Sequence, residues 1–556
     1  MTTSRWIQVF LCLILFFSCN EKKVVPDKES INEIGLKRGK VISCGSPDQQ
    51  FGQASFETSC NNLSKQDFYL AVKLLHSFEY DEAEKVFASV IDQQPDCAMA
   101  YWGVAMANFH PLWTAPSAEE LRKGEKAIKI AQSLHASARE KMYIDAIASF
   151  YNNWQTISHY DRCLAFEKGM EKIYNQYKEE VDAAVFYALS LDAAARPEDK
   201  TFSKQLKAGA ILNRFYTKYP NHPGVVHYLI HTFDYPELAD QGLEAARKYA
   251  SVAPSSSHAL HMPSHIFTRL GLWKECIQAN LAAVNAAQCY AGAAGIKGHW
   301  DEELHGLDYL EYAYLQAGKT DSARKLWEYL QTFKVVEPVN FKVAFAFAAI
   351  PSRYLLENGL WEQAAVLTAG FDHFPWQNYP WQEAMIHFTR LMGLVHTGKS
   401  GESAIEVNAI KRNLDTLTRQ KDDYKANQVN ILLLTAEAWV SFSNGDKETG
   451  LNKMKQAAAL EDKTEKHPVT PGEIKPAGEW LGDMLMELNR PAEALKTYLE
   501  VLHKHPNRFN TVYGCAVAAE KSGDLKSAKL YFNQLLEIAE GSSRPEITHA
   551  RMVLKK

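Results

Sequence analysis

Apolar residues recur at the three- and four-residue spacing of amphipathic helices along most of residues 64–540, with short turns between the helical stretches. One template repeats within this pattern: a large apolar or aromatic residue, Gly four positions on, a small residue about five further, bulky apolar residues, and often Pro. Phe267-Gly271-Trp273-Cys276, Tyr314-Gly318-Ala323-Trp327 and Leu355-Gly359-Trp361-Ala364 follow it, as do Asn489-Ala494-Tyr498-Pro506 and Gly523-Ala528-Phe532. Ala83-Phe87-Pro95, followed by Tyr101, is an early copy. Pro220 and Pro254 stand 34 residues apart, and so do Ala494 and Ala528. Each unit predicts two antiparallel helices joined at a Gly that tolerates a tight turn. One such hairpin cannot bury its apolar face alone, but a stack of hairpins can.

The period and the template resemble the tetratricopeptide repeat (TPR), and the resemblance predicts an all-α solenoid of stacked antiparallel helix pairs. Repeats are expected to start near residues 64, 98, 223, 257, 304, 345, 475 and 509. The organisation expected is a signal peptide over 1–18, a tether and N-terminal extension over 19–63, and first repeats over 64–134. Degenerate helical repeats follow over 135–215, then central repeats with a histidine cluster over 216–383, further degenerate repeats over 384–470, C-terminal repeats over 471–540 and a tail over 541–556. Three strings also resemble a poorly characterised family of bacterial, lipoprotein-like TPR proteins: Cys97-Ala-Met-Ala-Tyr-Trp-Gly, His261-Met-Pro-Ser-His-Ile-Phe and Pro506-Asn-Arg-Phe-Asn-Thr-Val-Tyr-Gly. That resemblance carries no activity with it.

Composition narrows the class. The 556 residues are 46% apolar and 23% charged with a net charge of −5, as in a folded soluble protein. No basic stripe of the kind nucleic-acid proteins carry is present, so no nucleic acid is expected as a partner. Arg5 and the apolar run Trp6–Phe17 read as an export signal. Phe16-Phe17-Ser18-Cys19 resembles a bacterial lipobox, with Phe where Leu is usual, and implies lipidation of Cys19. The Lys- and Glu-rich residues 20–40 then read as a tether to the membrane of the cell envelope, in the periplasm or at the outer membrane. Seven cysteines remain beyond Cys19, so at least one is free; Cys60 has Cys44 or Cys97 as possible partners, and the sequence does not choose.

The histidines carry the candidate chemistry. His227 and His231 are spaced i, i+4, as are His261 and His265, and His258 lies three before His261. Such neighbours share a helix face. His227 to His261 and His231 to His265 are both 34 residues, so the two pairs occupy equivalent groove positions in consecutive repeats. The next repeat places His305, Asp308 and Tyr312 at the corresponding positions. The reading is a polyhistidine metal centre in the concave groove, with His227, His231, His261 and His265 as ligands of one ion, and His258, His305 and Asp308 as additional or supporting groups. Imidazole suits zinc, copper or iron alike. Pro263 and Pro351 stand in matching copies and predict either late helix starts near Met262 and Ile350 or kinks.

No catalytic motif accompanies this site. HExxH is absent, as are the GxSxG elbow, the phosphate-binding loop and the dinucleotide glycine pattern. Glu302, Glu303 and Asp234 are the candidate general bases. Trp102, Phe109, His110 and Trp113 cluster near one repeat, where a sugar- or peptide-stacking platform competes with plain packing between helices. Phe371 to Trp381, with Pro375 and Pro380, reads as an inserted loop. The expectation for function is an exported, lipid-anchored scaffold that binds protein or peptide in its groove. A metal-dependent enzyme or metal-handling protein is the alternative, and a glycan-binding lipoprotein a weaker one. The Lys and Asn residues of a carboxylate clamp are missing from the groove positions, where His227 and His231 stand instead.

Overall fold

The structure is a computed structural model that describes residues 25–45, 50–61, 64–112, 115–196 and 199–555. The expected signal peptide, Cys19 and Trp113 lie outside the described residues. From residue 65 onward the chain runs as successive helical hairpins, beginning with Lys65–His76 and Tyr80–Gln93 and continuing to Phe509–Ser522 and Leu525–Ile538. Helices open at Lys65, Ala98, Pro223, Ser257, Asp301, Phe341, Ala477 and Phe509, within a few residues of the starts expected from the repeat. The degenerate stretches are hairpins too: Val181–Ala193 with Ser203–Tyr216, and Asp423–Ser443 with Lys447–Glu461. The sole extended pairing among the described residues is a two-residue parallel ladder of His299–Trp300 with Val336–Glu337. No helix among the described residues is long and apolar enough to cross a membrane.

The two prolines in matching copies have different outcomes. Pro263 begins a helix of its own, Pro263–Arg269, after a break at Met262 that ends Ser257–His261. A proline at the first helical position gives up no hydrogen bond the helix needs. Pro351 instead lies inside the continuous helix Phe341–Glu357.

The array folds back on itself. Gly271 and Gly318 both take a left-handed backbone at the turns of central hairpins, and both are also points of close approach. A Cβ on Gly271 would stand 2.3 Å from the Pro506 carbonyl oxygen, and one on Gly318 would stand 2.9 Å from Ser542 Oγ. Across this junction Trp273 Nε1 donates to the Asn507 carbonyl at 2.7 Å, and Ser542 Oγ donates to the Gly318 carbonyl at 2.8 Å. The segment of residues 462–476 enters the concave side: Arg353 donates to the Gly472 carbonyl at 2.8 Å, and Lys466 Nζ stands 3.6 Å from Asp234. The groove expected to receive a partner is therefore filled, over the central repeats, by the chain's own C-terminal third.

Two other expectations are corrected by packing. Described residues of the supposed tether are strapped to the repeats: Ile31, Ile34, Phe51 and Phe56 are buried, the Lys37 amide donates to Glu84 at 2.7 Å, and the Gln53 amide donates to the Asn221 carbonyl at 2.8 Å. Disulfides Cys44–Cys289 and Cys60–Cys97 fasten the same stretch, and Cys163, Cys276 and Cys515 are free and buried. The supposed tail contains the helix Pro545–Leu554, which buries Ile547 and Ala550 against the last hairpin. Trp102 lies between helices in ring contact with Phe56, Tyr143 and Phe186, so it forms no platform in the groove.

Candidate metal centre

Helix Pro223–Thr232 carries His227 and His231, the short helix Ser257–His261 carries His258 and His261, Pro263–Arg269 carries His265, and Asp301–Gln316 carries His305. The break at Met262 puts His258 and His265 on separate helices. Six histidines converge, but as two triads rather than one site. His227, His231 and His258 each bring a ring nitrogen within 4.8 Å of the others, and so do His261, His265 and His305. In the first triad Nε2 of His227 lies 2.9 Å from Nε2 of His231 and 3.1 Å from Nε2 of His258. In the second, Nε2 of His261 lies 3.2 Å from Nε2 of His265. The ring centroids of His261 and His305 are 4.2 Å apart. The triads adjoin, with the rings of His231 and His265 6.4 Å apart between centroids.

The sequence placed His227, His231, His261 and His265 around one ion, and the structure separates these pairs. His258 and His305 complete the triads as full members. Asp308 is not among them: its carboxylate accepts from Arg353, a buried pairing that engages it away from the histidines.

The outer ring nitrogens fix the tautomers. His227 Nδ1 faces the His76 carbonyl at 2.6 Å, and a carbonyl only accepts, so Nδ1 carries the proton. His261 Nδ1 faces Asn280 Oδ1 at 2.7 Å; the Asn280 amide nitrogen donates to the Cys276 carbonyl at 2.8 Å, which settles its orientation. His265 Nδ1 donates to Asp234 at 2.9 Å. In a neutral imidazole the other nitrogen is then a bare acceptor. His261 and His265 thus point two lone pairs at each other across 3.2 Å, with no proton to place between them. Burial keeps the rings neutral: it pushes His227 down to about 3 and pushes His261 and His305 well below the usual histidine range. His265 is also pushed down by burial, against the pull of Asp234. Two nitrogens about 2.0–2.1 Å from one ion and roughly 90–110° apart are about 2.9–3.4 Å from each other, and all three Nε2 separations fall in that interval.

The supporting shell is built in. Asp234 holds His265 and is itself answered by Arg269, whose Nε donates at 2.9 Å, and by Lys466; these outweigh the burial that opposes its ionisation and hold it well below the usual carboxylate range. Tyr309 stacks on His265 with centroids 4.9 Å apart. Over the first triad lies Phe78, held at a left-handed φ of 57° and in ring contact with His227, His231 and His258.

Of the acids proposed as general bases, Asp234 is engaged as just described, Glu302 pairs with Lys342, and Glu303 binds His299, Gln288 and Tyr329. Glu79 was not legible as a functional residue. It follows Phe78, accepts from Ser256 Oγ at 2.6 Å, takes the His258 backbone amide, and is pushed up by burial to about 7. Nothing in its local sequence marks it, because His258 reaches it only through the stacking of repeats.

A third cluster, His76, Asp182 and His222, has comparable spacing. Its tautomer argues against a metal. His222 Nδ1 accepts the Val225 amide at 3.3 Å, so in the neutral ring the proton sits on Nε2, 3.7 Å from Asp182. A bridging water suits that arrangement better.

Comparison with known proteins bears on the fold. Residues 481–543 match the family model described as tetratricopeptide repeat. No curated protein matches the chain. Among solved structures the human IFIT1 dimer with m7Gppp-AAAA is similar at 12% identity and a TM-score of 0.34, covering 87% of this chain and 92% of that one. The APC/C hetero-tetramer Cut9-Hcn1 is similar at 13% identity and a TM-score of 0.24, covering 89% and 96%. TPR arrays as a class serve as scaffolds for protein interaction. The matched C-terminal pair is a tetratricopeptide repeat, and the same helix-hairpin architecture running through the rest makes the fold an all-α, TPR-like solenoid.

Proposed function

We propose that this chain is an exported metalloprotein in which the TPR array holds two adjacent three-histidine centres, His227/His231/His258 and His261/His265/His305. The reading is carried by one observation: Nε2 of His261 and Nε2 of His265 face each other as lone pairs at 3.2 Å, each forced to do so by its Nδ1 partner. A shared cation turns that repulsion into coordination. Six neutral nitrogens suit zinc, copper or iron. Three ligands per ion leave a coordination position open, the mark of a reactive rather than a purely structural site, where a metal supplies Lewis-acid or redox chemistry. The chain's own part is to hold the rings in one tautomer through His76, Asn280 and Asp234, to cover the first triad with Phe78, and to hold a proton-accepting carboxyl at Glu79 nearby.

Export and lipid anchoring at Cys19 belong to the same proposal. The two disulfides support it, since such bonds persist in oxidising compartments. A protein partner would engage the outer faces of the array, because residues 462–476 fill the concave side.

Elemental analysis of the untagged, exported protein tests the reading. Two ions per chain are expected, one after His227→Ala or His261→Ala, and none after both. A metal-free protein that also takes up no zinc or copper on incubation would overturn it.

A further inference from the structure

A cavity of about 590 Å³ adjoins the paired centres. Small-molecule sites commonly have volumes of this size. His231 of the first triad and Asp234, which orients the second, form part of its wall. Opposite them stand Glu465, Lys466, His467 and Pro468, from the segment that fills the groove. The cavity therefore exists only because the array folds back on itself.

Most charges around it are answered from within the protein. Asp422 is paired with Lys425 at 2.5 Å, and Glu465 with Lys200 at 2.6 Å. Asp192 accepts from Thr232 at 2.7 Å, and burial pushes its carboxyl up to about 8, so it stands neutral at pH 7. Asp234 faces two cations, Arg269 at 2.9 Å and Lys466 at 3.6 Å, and the buried Glu473 carboxylate also acts on both. The Lys466 side chain is 3% exposed and its Nζ has no hydrogen-bond partner. A buried ammonium that has anions nearby but no hydrogen-bond acceptor is costly, and an acceptor reaching it from the cavity relieves that cost. The rest of the wall is largely apolar, with Leu112, Pro468 and the rings of Tyr235 and Tyr424.

We propose that this cavity binds a small organic monoanion, a carboxylate on an apolar or aromatic body, with its charge against Lys466 and Arg269 and its body against Leu112, Tyr235, Tyr424 and Pro468. The anion site stands without the metal. Its further role, delivering the bound molecule past His231 to the first centre, rests on the metal reading above.

Benzoate and its neutral isostere benzamide are the probes, titrated calorimetrically into the full chain. Benzoate is expected to bind roughly tenfold more tightly than benzamide, the equivalent of about 1.4 kcal/mol. Lys466→Met should erase that preference and Lys466→Arg should keep it, which separates a charge effect from misfolding. Leu112→Trp should weaken both probes by filling the cavity. Equal affinity for the two probes, no benzoate binding at millimolar concentration, or a benzoate preference that survives Lys466→Met would overturn the anion site. In cobalt-loaded protein, benzoate should change the visible absorption of the metal; an unchanged spectrum with benzoate bound would overturn the delivery role. Failure of cobalt to load would count against the metal reading alone, since the benzoate preference is measured equally well in the His227→Ala, His261→Ala double variant.

Discussion

Four consecutive repeats fill the same two groove positions in two different ways. The repeats beginning at 223 and 257 place His227 with His231 and His261 with His265 there; those beginning at 304 and 345 place Asp308 with Tyr312 and Ala349 with Arg353. In the second set Asp308, Tyr312 and Arg353 find their complements inside the protein. Arg353 binds Asp308 and the Gly472 carbonyl, and Arg508 reaches in to bind Glu357, Glu479 at 3.1 Å and the Tyr312 hydroxyl at 3.0 Å. In the first set the outer nitrogens of His227, His261 and His265 are satisfied and the inner ones of His261 and His265 oppose each other. Equal burial thus serves two ends: a network that closes on itself holds the array together, and one that leaves lone pairs converging is arranged for something the chain does not supply.

The largest effect separating the two sets should come from charge. Arg508→Ala leaves Glu357 and Glu479 buried without their cation and should cost about 3–5 kcal/mol in urea unfolding. His261→Ala, measured without metal, should cost far less, and a comparable loss would erase the distinction. Chelation of the loaded protein comes next. At free metal 100-fold above Kd, each ion should stabilise the fold by about 2.7 kcal/mol, an increment absent from the double histidine variant.

Two aspartates sharpen the contrast further. Asp234→Asn should weaken one of the two ions by about 10–100-fold, because His265 loses its orienting carboxylate. Asp308→Asn should leave both affinities unchanged and destabilise the fold by orphaning part of Arg353; lowered metal affinity in that variant would return Asp308 to the site. The smallest effect is that of pH. Burial depresses His505 to about 4 and His467 to about 3, below the unfolded value near 6.5, so the unfolded chain binds more protons between those limits. Their contribution is complete above about pH 6.5 and falls as pH drops toward the folded values, by on the order of 1–2 kcal/mol per group by pH 5. Unfolding midpoints in urea at pH 7 and 5 check the sign.

Much of this was legible in the chain. The 34-residue register put His227 opposite His261 and His231 opposite His265, because stacked hairpins repeat their side-chain positions. His258 was seen as a neighbour through its i, i+3 spacing, and His305 through the following repeat. The division into triads was not legible, since His258 and His261 share the helix Ser257–His261 yet join different triads, a choice set by which neighbouring helix each ring meets. Asp308 was drawn in by the same register that found the histidines correctly. Its true partner, Arg353, lies 45 residues on, at the other groove position of the next repeat, and the spacing does not say which groove residues will pair.

The sequence by itself determined the local units: helices from apolar spacing, turns from glycine, and equivalent positions from the period. These depend on interactions within a few residues or one repeat. The tertiary structure alone decided what lies across the array: Phe78 over the first triad, the His76 carbonyl on His227, Asn507 against Trp273, and Lys466 beside Asp234. The physical reason is cumulative. Each hairpin adds a small rotation to the one before, and only their sum over many repeats brings residue 466 back to residue 234 and encloses the cavity beside the histidines.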